Sequence, residues 1–336
     1  MSGWPILSIF SGAGGLDLGF ESAGFSPKMA VDINPAAIAT YCHNRSNAGA
    51  IELDLAKSSP NDLVNLWKKN VGASGPIGLV GGPPCQAFSV SNVHQKKKDP
   101  RLRLLRRYVG ILDAFNTEFG LSFFVFENVP GLLNDRHRWR YSFFKRACEE
   151  LGFVIQEKII DAGNFGIPQR RFRLLVVGLN KTKTLGEPFV IPEGHTSPSL
   201  IDVVLRNLPE PAFFSRDLRK EDIPFHPNHV TMVPRSAKFR NGKLRHGNKS
   251  GRSFRVLRWG QPSWTVAYGH REIHVHPGGH RRLSVFEAML LQGFPVSYEL
   301  RGTLSQQISM VSDTVPPPVG AALGNALRGA LRLKLG

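Results

Sequence analysis

Cys85, Glu127 and Asp32 are the residues whose types and settings suit chemistry. Cys85 stands in GLVGGPPCQAFSV (78–90), behind Pro83 and Pro84 and at the end of a short apolar run that reads as a buried strand. Two prolines stiffen the turn and hold the thiol at the rim of a sheet. A free cysteine is more often a small buried hydrophobe than a nucleophile, so residue type alone leaves both readings open. Glu127 follows four apolar residues in FFVFENV, where an α/β sheet exposes its ligand-binding edge at the carboxyl ends of its strands. Desolvation there raises a carboxyl pKa and favours a protonated form able to donate a proton. A structural cap for the turn is the rival reading.

Gly12, Gly14 and Gly15 in LSIFSGAGGLDLGFESAGF come directly after a predicted strand and before a helix, where backbone amides approach a ligand. The turn lacks the G-x-G-x-x-G spacing and says little alone. Asp32, twenty residues after Gly12 and at the end of the next strand, supplies an acid suited to ribose hydroxyls. Together they suggest an adenosine-containing cofactor. A helix N-cap in DINP is the alternative role for Asp32, and it is compatible with a ribose contact.

The elements that must position these residues alternate over the first 180 positions. PILSIF, PKMAVDI, IGLVGG, LSFFVFENV and RLLVVGL read as strands; AAIATYCHN, LVNLWKKN, LLRRYVGILDAF and FFKRACEELG read as helices between them. This alternation predicts a doubly wound, mostly parallel α/β sheet. Beyond GLNKTKTLGEP the chain turns Pro-rich, Gly-rich and basic to about residue 280, a separate small domain. LSVFEAMLLQGF then restores helical spacing, and the tail VGAALGNALRGALRLKLG sets Leu323, Leu327 and Leu331 on one face. The expected organisation is 1–185, 186–280, and a segment 281–336 that returns to the first domain.

Charge says what the small domain meets. Formal net charge is +17, and two segments hold 16 of it: ten Lys and Arg with no acid from Ile223 to Arg271, and seven with only Asp99 against them over 91–107. Phe239, Phe254, Trp259, Trp264 and Tyr268 interleave the first segment, which suits a polyanion with bases to contact. Three widely spaced cysteines provide no disulfide framework or zinc spacing, and no run of eighteen apolar residues occurs, so a reducing, cytoplasmic setting off the membrane is expected. His226 and His229 in HPNH have no neighbouring cysteine, which favours surface or DNA-contacting histidines over zinc ligands.

FSGAGG, DIN, GGPPCQAFS, FENV, FGIPQRRFR, HRRLSVFEAMLLQGFP and DTVPPPVGAALGNAL, in that order over nearly the whole chain, make it resemble the cytosine-5 DNA methyltransferases, S-adenosylmethionine-dependent enzymes typical of bacterial restriction–modification systems. The resemblance implies a Rossmann-like methyltransferase domain carrying a small target-recognition domain. It implies that Cys85 adds as a thiolate to C6 of a cytosine swung out of duplex DNA. Glu127 then protonates or hydrogen-bonds N3, so that C5 attacks the sulfonium methyl with no metal required. Arg171 and Arg173 match the family's arginines that hold the cytosine O2 and the thiol region; phosphate contact is the plainer reading. Cofactor positions carry over to Phe10, Gly12, Gly14, Gly15, Asp32, Ile33, Asp54, Leu55, Pro84, Leu104 and Asp313. Substrate and DNA positions are Gln86, Ser89, Asn128, Lys96, Lys97, Lys98 and Arg101, most of them in a segment that resembles the family's closing catalytic loop. Ser312, Asp313, Thr314 and Val315 stand where Gly-Asn-Ala/Ser-Val is common, and Asp313 adds a negative charge beside the cofactor. Double-stranded DNA is the expected partner of a monomer, working beside a cognate endonuclease without binding it. An RNA-directed enzyme of the same fold and a non-catalytic DNA-binding paralogue are the alternatives. A nicotinamide dehydrogenase would leave Cys85, Glu127 and the basic domain unexplained.

Overall fold

The computed structural model describes residues 3–45, 49–84, 103–183, 189–241, 244, 254–265 and 273–331. Its centre is a seven-stranded sheet. The chain runs β1 (Trp4–Ile9), α1 (Gly15–Ser22), β2 (Phe25–Asp32), α2 (Pro35–Asn44), β3 (Gly49–Glu52), α3 (Pro60–Asn70), β4 (Gly78–Gly81), α4 (Leu104–Phe119), β5 (Phe123–Asn128), α5 (Asp135–Glu150), β6 (Phe153–Asp161) and β7 (Phe172–Asn180). The strand order is β3-β2-β1-β4-β5-β7-β6. β1 to β5 pair in parallel, and β7 lies antiparallel between β5 and β6. The fold is a Rossmann-like, mostly parallel sheet. β6 is a strand that the sequence pattern hides, because Glu157 and Lys158 interrupt its apolar run and it forms an edge of the sheet.

Period-two burial explains why these runs are almost continuously apolar. Leu7, Ile9, Phe124, Phe126, Leu174 and Val176 face one layer, with Trp67, Tyr108, Phe115 and Phe144 from α3, α4 and α5. Ile6, Phe123, Val125, Leu175 and Val177 face the other, with Phe20 from α1 and Val319, Leu323 and Leu327 from the last helix. Local signals set the helix starts. Asn34 caps α2 by accepting from the Ala36 amide, with Pro35 in the first turn, and Ser59 and Asp62 form a capping box on α3.

From residue 189 the described chain is irregular: α6 (Asp202–Leu205), β8 (Ala212–Phe213), β9 (Val230–Thr231), α7 (Ala237–Arg240), β10 (Arg255–Val256) and β11 (His274–Val275). Small apolar clusters such as Leu244, Phe254, Val256 and Val275 hold it. His226 and His229 correct the surface or DNA-contacting expectation, since both are buried. His229 is hydrogen-bonded to Ser284 Oγ and the Pro209 carbonyl at 2.8 Å each, and His226 stacks on Phe286. α8 (Val285–Leu291), α9 (Leu304–Asp313) and α10 (Pro317–Ala330) complete the chain. Among the described residues no helix is long and apolar enough to cross a membrane, and no cluster of metal-ligating side chains occurs.

α10 crosses α1 at glycines. A Cβ on Gly19 would lie 2.2 Å from the Pro317 carbonyl oxygen and 2.4 Å from the Ala321 nitrogen, and one on Gly320 would lie 2.5 Å from the Leu16 oxygen. These neighbours are backbone and do not give way. Gly19→Ala should therefore lower stability by about 1–3 kcal/mol, outweighing the roughly 1 kcal/mol it gains in helix propensity. Gly329→Ala, with nothing within 4 Å of its Cβ, should instead stabilise by about 0.5–1 kcal/mol. Urea midpoints of the two variants test the opposite signs.

Candidate active site

At the carboxyl edge of the sheet lies a cavity of about 440 Å³. β1 hands over to α1 through a turn in which Phe10 and Gly12 take left-handed φ values of 52° and 53°. Asp32, at the end of β2, ties that turn to the next helix: its carboxylate accepts from the Gly12 amide at 2.8 Å and the Asn34 amide at 2.8 Å. Asn34 is the cap of α2, so Asp32 is free of the capping role that DINP left open. Burial raises the Asp32 carboxyl above its usual range, and the amides oppose the shift. Ile33, 59% exposed, stands at the cavity mouth, and Leu53 to Ala56, after β3, extend the same wall.

β4 ends in Gly81 and Gly82 because nothing larger fits. A Cβ at Gly81 would sit 1.8 Å from the Ile9 oxygen, and one at Gly82 2.0 Å from the Glu127 oxygen. Asn128, wholly buried, donates to the Pro83 carbonyl at 3.1 Å, so β5 fixes the approach to Cys85. Glu127 lies at the cavity floor. Its Oε1 is 2.8 Å from Arg173 Nε of the antiparallel neighbour β7, and both side chains are nearly buried. Desolvation pushes the Glu127 carboxyl above its usual range, and Arg173 and Arg171 pull against that shift. The pair holds a carboxyl of raised proton affinity beside the turn that leads to Cys85.

The far wall comes from the end of α9. Arg171 is fully buried and donates to the carbonyls of Ser312 at 2.7 Å and Thr314 at 2.9 Å. Asp313 projects into the cavity between those two residues and stays open to its solvent. The surrounding protein, with Asp32 and Glu127, raises its carboxyl to about 6, against the pull of Arg171 and Arg173.

One cavity thus gathers Phe10, Gly12, Gly15, Asp32, Ile33, Asp54, Leu55, Pro84, Leu104, Glu127, Arg173 and Asp313. Gly14 turns away, its bare Cα leaving room for Arg45 and Tyr41. Arg171 and Asn128 act from behind the wall. Cys85, Gln86, Ser89, Lys96, Lys97, Lys98 and Arg101 lie outside the described residues, although Pro84, the residue before Cys85, is at the rim. Sequence reasoning missed the brace behind the glycine turn: Arg45 donates to the Gly14 carbonyl at 3.0 Å, and Tyr298 donates to that of Ala13. It also missed Asp17, buried in the cavity wall, accepting from Ser8 Oγ at 2.9 Å and raised to about 6 by burial. No local pattern signals them, because Asp17, Arg45 and Tyr298 stand on separate elements far apart in sequence.

A family model described as C-5 cytosine-specific DNA methylase matches residues 5–329. The Type II methyltransferase M.NmeDI of Neisseria meningitidis is 30% identical over 93% of this chain and 80% of its own. M.FnuDI of Fusobacterium nucleatum, another Type II methyltransferase, is 27% identical over 97% of this chain and 94% of its own. Among solved structures, a DNA modification methyltransferase encoded within an E. coli prophage superposes with a TM-score of 0.77 at 22% identity, covering 98% of this chain and 99% of that one. The Entamoeba histolytica methyltransferase EhMeth gives 0.69 at 18% identity, with full coverage of both chains.

Asp313 yields a pH prediction. Its folded pKa, about 6, exceeds the ordinary 3.8, so the folded chain binds the extra proton and the ionised form costs stability. That cost is fully present above pH 6, shrinks as pH falls from about 6 to 4, and is absent below. In ligand-free protein Asp313→Asn should raise Tm at pH 7.5 and lose the gain by pH 4. Screening by cavity water keeps the gain under about 1 kcal/mol. A gain that persists unchanged at pH 4 would show a packing effect instead.

Proposed function

The chain belongs to the C-5 cytosine-specific DNA methylases, and from that membership we propose that it moves a methyl group from S-adenosylmethionine to C5 of a flipped cytosine through a covalent bond to Cys85. Its relatives' names place it with Type II restriction–modification methyltransferases. We divide the chain as 1–185 for chemistry and cofactor, 186–280 for target recognition, and 281–336 as the returning segment. It acts as a monomer on double-stranded DNA, beside rather than bound to any endonuclease.

What supports the cofactor reading is the donor set around the cavity. Asp32 is positioned to accept from ribose hydroxyls, and Ile33, Leu55 and Leu104 offer an apolar platform for an adenine ring. When bound, S-adenosylmethionine supplies an electrophilic methyl on a sulfonium. The protein's residues prepare the acceptor. Cys85 Sγ bonds to C6 as Glu127 delivers a proton to N3, which makes C5 an enamine carbon able to take the methyl. Loss of the C5 proton, departure of the thiolate and return of the N3 proton to Glu127 restore the ring and free Cys85. Arg173 orients Glu127 through their 2.8 Å contact, and its charge favours the nearby thiolate. Arg171 acts one step back by fixing the end of α9, which carries Asp313.

The single observation that carries the reading is the convergence of the Glu127–Arg173 pair, the Asp32 turn and Pro84 on one cavity. A duplex with 5-fluorocytosine at the target should trap wild type as a covalent adduct when cofactor is present, and Cys85→Ser should form none. An adduct that survives that change defeats the proposed nucleophile. Glu127→Gln should lower kcat by about 10²–10⁴-fold while cofactor affinity by calorimetry holds. Bisulfite sequencing of plasmid from expressing cells reads activity and target sequence together, and uniformly unmethylated DNA counts against the whole reading.

A further inference from the structure

We propose that the amino-terminal half of α5 is an additional duplex-binding surface that takes phosphates of DNA flanking the target; this rests on the DNA-methylation reading above. α5 turns His137, Tyr141, Phe144 and Cys148 into the protein. Its other face carries Arg136, Trp139, Arg140 and Phe143 at i, i+3, i+4 and i+7, with Arg138 exposed beside them. Trp139 is 58% and Phe143 47% exposed. The Arg140 guanidinium lies 4.3 Å from the Trp139 ring centre, and that of Arg106, from the first turn of α4, lies 5.4 Å from the Phe143 ring centre. The starts of α4 and α5 therefore share one basic, aromatic surface.

Local energetics disfavour this arrangement in the absence of an anion. The positive end of a helix dipole welcomes acids and repels arginines, yet three arginines follow Asp135 within the first six residues, and Asn134 makes no side-chain cap. Among the described residues none of Arg136, Arg138 and Arg140 is paired with a carboxylate. Burial and the charge of Arg136 lower the pKa of Arg140, and His137 is lowered by burial and by both arginines. A row of phosphates relieves this repulsion and uses the helix end as well. Position selects DNA over other polyanions. Leu104, at the start of α4, lines the cavity, and α5 follows β5, which ends at Glu127 and Asn128. A duplex delivering a cytosine to Glu127 must pass this edge.

The test is the variant Arg136→Gln/Arg138→Gln/Arg140→Gln in the full chain, assayed by methyl transfer to a plasmid fragment that wild type modifies. Its control removes three charges at the opposite edge of the sheet, Lys69→Gln/Lys181→Gln/Lys183→Gln. The slope of log affinity against log salt should fall by about 2 to 3, at roughly 0.9 per lost phosphate contact, and KM for DNA should rise about 10-fold near physiological salt. The value of kcat at saturating DNA and cofactor affinity should hold, and Tm should hold or rise as the repulsion is removed. The control, and the arginine variant on the shortest duplex that wild type still methylates, should match wild type. A wild-type slope and KM in the arginine variant overturn the proposal, as does an equal loss in the control, which would make the effect one of net charge. Retained DNA behaviour with loss of binding to an acidic polypeptide such as poly-glutamate would assign the surface to a protein partner and overturn it too. Failure of wild type to modify any duplex sinks the methylation reading itself, and this inference with it.

Discussion

Burying Glu127 without a partner would cost several kcal/mol, and Arg173 at 2.8 Å supplies one. The surrounding architecture follows from keeping that pair dry and aimed. β7 runs antiparallel beside β5, and Arg173 reaches across from it to Glu127. β4 must come close enough on the other side to bring Pro84 to the same edge, and Gly81 and Gly82 are the residues that allow it. The pair is also what makes the site chemically adjustable. Burial raises the Glu127 carboxyl and the Arg173 guanidinium opposes that rise, so the two together set how readily it gives up a proton.

The cavity walls are drawn from opposite ends of the chain, so the site exists only when the two ends are assembled. Arg171 holds the carbonyls of Ser312 and Thr314, Gln292 holds that of Val311, and Arg45 and Tyr298 grip the glycine turn between them. α10 then seals against α1 at the Gly19–Gly320 crossing. Every one of these contacts is a charged or polar donor on a backbone carbonyl, or a backbone pressed against backbone, and such contacts fix position more tightly than interchangeable apolar packing. The rigidity lies around the cavity, where positions must be held closely if reacting groups are to meet in line.

Much of this was legible in the sequence because periodicity and turn chemistry act over short distances. The strands around Ile6, Leu79, Phe124 and Val176 announce themselves as apolar runs, and the glycine turn with Asp32 foretold the cavity wall they form. β6 escaped because a half-exposed edge strand carries charges that imitate a loop or helix. The histidines of HPNH misled for a related reason: polar type suggested a surface, whereas Ser284 and the Pro209 carbonyl satisfy His229 inside the protein. Arg171, just before β7, and Arg173, within it, show the limit most sharply. Alternation sends their neighbours to opposite faces, but only the three-dimensional path of residues 312–314 decides that one grips backbone and the other meets Glu127.

The same distinction orders the protein's excess of positive charge. Arg45, Arg171, Arg173 and Arg281 are buried or nearly so, and each is committed to carboxylates or carbonyls: Arg281 alone binds Glu287 through two nitrogens and Glu210 through a third. Within the folded chain those arginines already have partners. The net +17 is carried by other residues, concentrated in the segments 91–107 and 223–271, where carboxylates are almost absent and folding therefore gains nothing from the charge. Self-repulsion of that size destabilises a free protein. Its concentration in two stretches of the sequence argues that the compensating charge comes from outside, with the spacing and density of a nucleic acid backbone.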